Sequence, residues 1–182
     1  MRSWHAAAAA AVVHSRAAAA VSAGEVPVDV GRKIVRTIIP AFFFSAKERR
    51  FIEDAIRTAE KNTSGEIRVH MVPSHKGDIM DAAARTFEKL GMTNTAERNG
   101  VLIFFSIKDR SFAILGDEGI YKKAGDELWG KAVHAMTARF ADNEFAVGIS
   151  EGVMLIGEAL RDHFPYQHDD VNELPDVISF GR

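Results

Sequence analysis

The chain has 182 residues, 47% of them apolar and 26% charged, which suits one soluble globular domain with tails. A net charge of −2 and a pI near 6.4 leave no basic surface of the kind nucleic acid requires. The absence of cysteine excludes disulfides, thiolate metal sites and cysteine nucleophiles, and with them cysteine-based phosphatase chemistry.

Met1 to Ala23 is rich in alanine and broken by His14, Ser15 and Arg16; the first acidic residue is Glu25. Three readings stay open: an unstructured extension, a secretory peptide cleaved after Val21-Ser22-Ala23, or an acid-free organelle transit peptide. His14 and Arg16 interrupt the apolar run, so a membrane span of about 20 residues is not expected. The protein is expected in the cytoplasm, or exported or organellar if residues 1–23 are cleaved. From Val26 to Phe44, apolar Ile34, Val35, Ile38, Ile39 and Phe42 to Phe44 surround Arg32, Lys33 and Arg36. Pro40 prevents one continuous helix there, and a short helix or strand lying on the domain is expected.

Residues 45–165 read as one domain, between the extension 1–44 and an acidic tail 166–182. Ser45 and Glu48 form a capping box, followed by the apolar stripe Phe51, Ile52, Ala55, Ile56 and Ala59. Asn62 to Gly65 ends this helix. Glu66 to Val72 alternates Ile67, Val69 and Met71 against Glu66, Arg68 and His70, a strand with His70 facing outward. A helix over Ile79 to Leu90 stops at Gly91. Val101 to Phe105 is an unbroken apolar run, the pattern of a central strand covered on both faces. Lys108 to Ser111 turns into Phe112 to Leu115, giving a hairpin. Asp126 caps a helix with the stripe Leu128, Trp129, Ala132, Val133, Met136 and Phe140. A last helix carries Ile149, Val153, Ile156 and Leu160, with Gly148 and Gly152 placed for close approach to a neighbour. Leu174, Ile178 and Phe180 in the tail are able to fold back on the domain.

This order predicts an α/β fold, a three-layer α/β/α sandwich around a small mixed β-sheet. A helical crossover makes the first two strands parallel, and the third returns antiparallel. One rim therefore gathers Ser64-Gly65-Glu66, Arg98-Asn99-Gly100 and Gly116-Asp117, with Glu97 and Asp126 flanking. Glu66, Glu97, Asn99, Asp117 and Asp126 supply the oxygens that Ca2+ or Mg2+ takes, with Asp117 and Asp126 first among them. The plainer alternative is that Gly116 and Gly119 shape a turn and Asp126 caps a helix. At the opposite rim Ser74, His75, Asp78 and Asp81 form a weaker metal candidate, since Asp is favoured at helix starts in any case. Gly125 to Ala132 is an accidental near-match to a phosphate-binding loop, and the histidines lack partners at metal spacing.

The phrases T-S-G-E-I at Thr63 to Ile67, R-N-G-V-L-I-F-F at Arg98 to Phe105 and G-D-E-G at Gly116 to Gly119 resemble the TPM domain family. That family takes its name from a thylakoid lumen protein, a photosystem II repair protein and a receptor modulator. The resemblance runs from Ser45 to Phe164. It implies the same sandwich and divalent-cation binding; some members are described as acid phosphatases and others assist protein repair or assembly. Many relatives carry a membrane span after the domain; none follows Phe164 here, so a membrane-tethered role is not expected. The resemblance thus implies a soluble accessory module that binds a divalent cation and another protein. The alternative is a metal-assisted phosphoesterase, in which Asp117 and Asp126 hold the cation and Arg98 pairs with the oxygens of a small phosphoester. No dedicated nucleophile is visible for it.

Overall fold

The computed structural model describes residues 40–166 and 174–181. The targeting question at residues 1–23, and the expected element within residues 26–39, lie outside these residues.

The described chain begins in a short 3-10 turn, Pro40–Phe42, followed by Phe43 and the buried Phe44. The Phe43 ring packs 5.8 Å from Phe105 and 5.4 Å from Phe145. Helix α1 (Ala46–Glu60) opens with the expected capping box: Glu48 N donates to Ser45 Oγ and Ser45 N to Glu48 Oε2. Ile52, Ile56 and Ala59 are buried, but Phe51, expected in the same stripe, is 50% exposed.

Strand β1 (Ile67–Val72) runs parallel to β2 (Val101–Ser106), with α2 (Ile79–Lys89) as the crossover. Strand β3 (Ser111–Gly116) returns antiparallel to β2. A fourth strand, β4 (Ser179–Phe180), lies parallel to β1 on its free edge, so the sheet order is β3-β2-β1-β4. The tail thereby folds back, with Ile178 buried. It also corrects the expected outward face of β1, because all six residues of that strand are buried. His70 is 8% exposed, stacked on Phe104 and hydrogen-bonded through Nδ1 to Ser179 Oγ at 2.8 Å.

Helix α3 (Glu118–Ala141) starts earlier than expected, with Asp117 as its N-cap. Gly125, at φ 68° and ψ 177°, breaks it just before Asp126. Helix α4 (Phe145–His163) packs closely on α3 at the two expected glycines. A Cβ at Gly148 would lie 2.7 Å from the Phe140 ring, and one at Gly152 2.6 Å from Met136 Sδ.

The layers follow from strand alternation. Ile67, Val69, Met71, Val101, Ile103, Phe105, Phe112 and Ile114 face α1, α3 and α4. Val72, Leu102, Phe104, Ala113 and Leu115 face α2. Burying each such Ile, Phe or Met contributes roughly 1.5–3 kcal/mol. The result is the expected mixed sheet with helices on both faces. Among the described residues no helix is long and apolar enough to cross a membrane.

Candidate functional site

Register brings the predicted rim together. Ile67 pairs with Val101 and Val101 with Gly116, so the segments leading into β1 and β2 lie beside the end of β3. Val101 N donates to Glu66 O at 2.7 Å, and Asp117 N to Gly100 O at 2.8 Å. Gly119 is required here: its N–H donates to Arg98 O at 2.8 Å, and a Cβ would meet Glu97 O at 2.2 Å.

Three side chains form a relay on this rim. Asn99 is 1% exposed, and its Nδ2 donates to Ser64 Oγ at 3.1 Å. Ser64 Oγ in turn donates to the Glu97 carboxylate. Asn99 Oδ1 is buried with no hydrogen-bond partner among the described residues. Exchanging the amide oxygen and nitrogen would orphan the NH2 group instead, so either orientation leaves one polar group unmet. Such a group costs about 1–3 kcal/mol unless something meets it.

Asp117, expected as a cation ligand, is 4% exposed and already engaged. Its Oδ2 accepts from Arg98 Nε at 2.6 Å; its Oδ1 accepts from Arg98 Nη2 at 2.7 Å and from Glu118 N at 2.8 Å. Arg98, expected to hold a phosphate, is thus bidentate on Asp117. Its backbone sits at φ 53°, a left-handed conformation that costs a side-chain-bearing residue about 1–2 kcal/mol and that this ion pair offsets. The Arg98 side chain remains 45% exposed.

The TPM domain family model matches residues 37–159. The chain belongs to the TPM domain family. The solved BA42 protein of the psychrophilic bacterium Bizionia argentinensis is 43% identical, with a TM-score of 0.73 over 76% of this chain and 96% of that one. The N-terminal domain of a protein from P. gingivalis is 22% identical, with a TM-score of 0.57 over 79% of this chain and 95% of that one, a likeness of fold. No curated protein matches the chain.

The remaining expected residues of this TPM domain are distributed as follows. The side chain of Asp126 lies outside the described residues; its backbone follows the Gly125 break. Glu66 contributes its carbonyl to the rim, but its carboxylate is buried and interacts with Arg68 and Glu60. Glu60 was not singled out from the sequence. Its Oε1 accepts from Ile67 N at 2.6 Å, and its carboxyl also hydrogen-bonds the Asp176 side chain. Burial, reinforced by the charges of Glu66 and Asp176 and opposed by the Ile67 N–H, pushes its carboxyl up to about 9. Glu60 follows Ile56 at helical spacing on the buried stripe, a signal available in the sequence.

At the opposite rim, Asp78 caps α2 by accepting from Met80 N and Asp81 N. His75 N donates to Asp109 Oδ2 at 2.8 Å, and its Nε2 lies 3.2 Å from Ser111 Oγ. These bonds tie the loop after β1 to the β2–β3 hairpin. Among the described residues no group of three or more His, Cys, Asp or Glu side chains converges at metal-holding distance.

Proposed function

We propose that this TPM domain is a soluble accessory module that holds a divalent cation, Ca2+ or Mg2+, on the Ser64–Glu97–Asn99 rim and presents that rim to another protein. The observation that carries this reading is the buried Asn99 Oδ1, which has no hydrogen-bond partner among the described residues, on a side chain whose Nδ2 is linked through Ser64 Oγ to the Glu97 carboxylate. A hard cation takes six to eight oxygens, or about six for magnesium, and water completes a set that protein groups begin. Glu97, Asn99 and Ser64 begin it here. Asp117 joins only if Arg98 swings outward, and Asp126 stands next along the chain. Because few formal charges face the cation, affinity is expected in the range of about 10⁻⁴–10⁻³ M.

Titration with CaCl2 and MgCl2, followed by amide shifts, tests the proposal. Changes should centre on Ser64, Glu97, Asn99 and Gly119, and the exposed substitution Glu97→Gln should weaken them about tenfold or more, roughly 1.4 kcal/mol. Shifts elsewhere, or unchanged binding in Glu97→Gln, would defeat it. A generic phosphoester incubated in parallel should release no phosphate. Metal-dependent release that disappears in Asp117→Ala would instead assign the rim to phosphoester hydrolysis.

A further inference from the structure

Helices α1 and α4 run parallel, side by side. Phe43, just before α1, packs 5.4 Å from Phe145 at the start of α4, and a Cβ on Gly157 would lie 2.5 Å from Ala59 Cβ near their far ends. Between them the outer helical layer carries an open groove of about 660 Å³. Two large apolar side chains of its lining stand in the surface, Phe51 at 50% and Met154 at 38% exposure. Unpaired charge is divided between the two ends of this face. Lys47 and Arg50, exposed at the start of α1, make no ion pair among the described residues. Glu158, lining the groove near its far end, makes none either. The other two carboxylates of the lining, Asp54 and Glu151, are already held by Arg57 and Arg139.

This pattern is self-complementary. Phe51 follows Lys47 by one helical turn, and Glu158 follows Met154 by one helical turn. Two such layers laid face to face, with their helices crossing antiparallel, therefore bring Lys47 against Glu158 of the partner subunit. The same register sets Phe51 against the partner subunit's Met154. A two-fold axis repeats each contact, as an isologous interface requires. The levels agree with this. Ala59 meets Gly157, so Lys47 and Glu158 stand about 20 Å apart along the layer at about 1.5 Å per residue, with the exposed apolar residues between them. We propose that the α1–α4 face is a homodimer interface in this antiparallel register. Phe51 is its anchor, a ring seated against a thioether, and the Lys47–Glu158 pairs fix its direction. This inference is independent of the cation reading.

Sedimentation velocity of the full chain tests it. The mean mass should rise from one chain to two with a Kd on the order of 10⁻⁵ M, the range of a small transient interface. Phe51→Glu, at a half-exposed site, should weaken association about a hundredfold, since the ring is lost twice per dimer. Lys47→Glu and Glu158→Lys should each weaken it about tenfold, because each sets like charges together twice. Both reversals in one chain should restore the affinity to near its original value. A chain that stays monomeric to about 1 mM overturns the proposal. So does a dimer indifferent to Phe51→Glu, which would lie on another face. Weakening by the single reversals without recovery in the double variant overturns the antiparallel register.

Discussion

At the residue scale, Glu60 and His70 give the stability of this domain opposite responses to pH. Glu60 holds its proton to about pH 9 when folded, against an ordinary value of 4.5. Its favourable contribution is full below pH 4.5 and is lost as pH rises towards 9, because the unfolded chain gives up the proton first. Burial, then the charges of Arg68 and Lys89, lowers His70 from 6.5 to about 4. Its contribution is full above pH 6.5 and is lost as pH falls towards 4. Between about 4.5 and 6.5 the two slopes cancel, so urea unfolding should show a plateau there and a decline above it. Glu60→Gln should flatten the alkaline decline, raising stability at pH 8 by more than the ~1.4 kcal/mol of one pKa unit. An unchanged alkaline slope in that variant would show that Glu60 ionises freely. The sequence reached Asn99, Glu97 and Asp117 because crossover and hairpin fix which strand ends meet. It did not reach the Arg98–Asp117 pair or the buried Glu60, since the neighbours of a side chain depend on packing that periodicity does not encode.

Helix α3 is the element where local rules and the fold diverge most. Gly116-Asp117-Glu118-Gly119 reads locally as a turn, yet Asp117 caps a helix and Gly119 lies within its first turn because the chain must pass under Glu97 O. Gly125 breaks the helix just before Asp126, where the sequence expected a helix to start, with a backbone conformation that only glycine adopts readily. A Cβ there would meet nothing within 4 Å, so the cost of Gly125→Ala is conformational alone. That substitution should destabilise the domain by about 1–3 kcal/mol, measured by urea unfolding. Unchanged stability would mean that the two halves of α3 join without strain. By contrast, α1 was legible in its capping box, α2 in its span and α4 in its apolar stripe and two close-approach glycines.

For the whole molecule, the sandwich was legible from element order, but its fourth strand was not. Two residues in an acidic tail carry no alternation, and Ser179–Phe180 becomes a strand only because β1 has an open edge beside it. Ile178 anchors this segment in the main core at 5% exposure. Ile178→Ala should cost about 2–4 kcal/mol in denaturant unfolding. It should also let the His70 ring titrate closer to its ordinary 6.5, since loosening the tail lets water reach it. A ring pKa that stays near 4 in that variant would show that α2 and Phe104 alone dehydrate the imidazole.

The placement of β4 has a bearing on biosynthesis. His70 waits for a partner 109 positions further along the chain. At a translation rate of roughly 5–20 residues per second, that delay is about 5–20 s. During it the outer edge of β1 offers open backbone groups to any neighbouring nascent polypeptide. Pairing of Ser179 with His70 and of Phe180 with Met71 then closes that stretch of the edge.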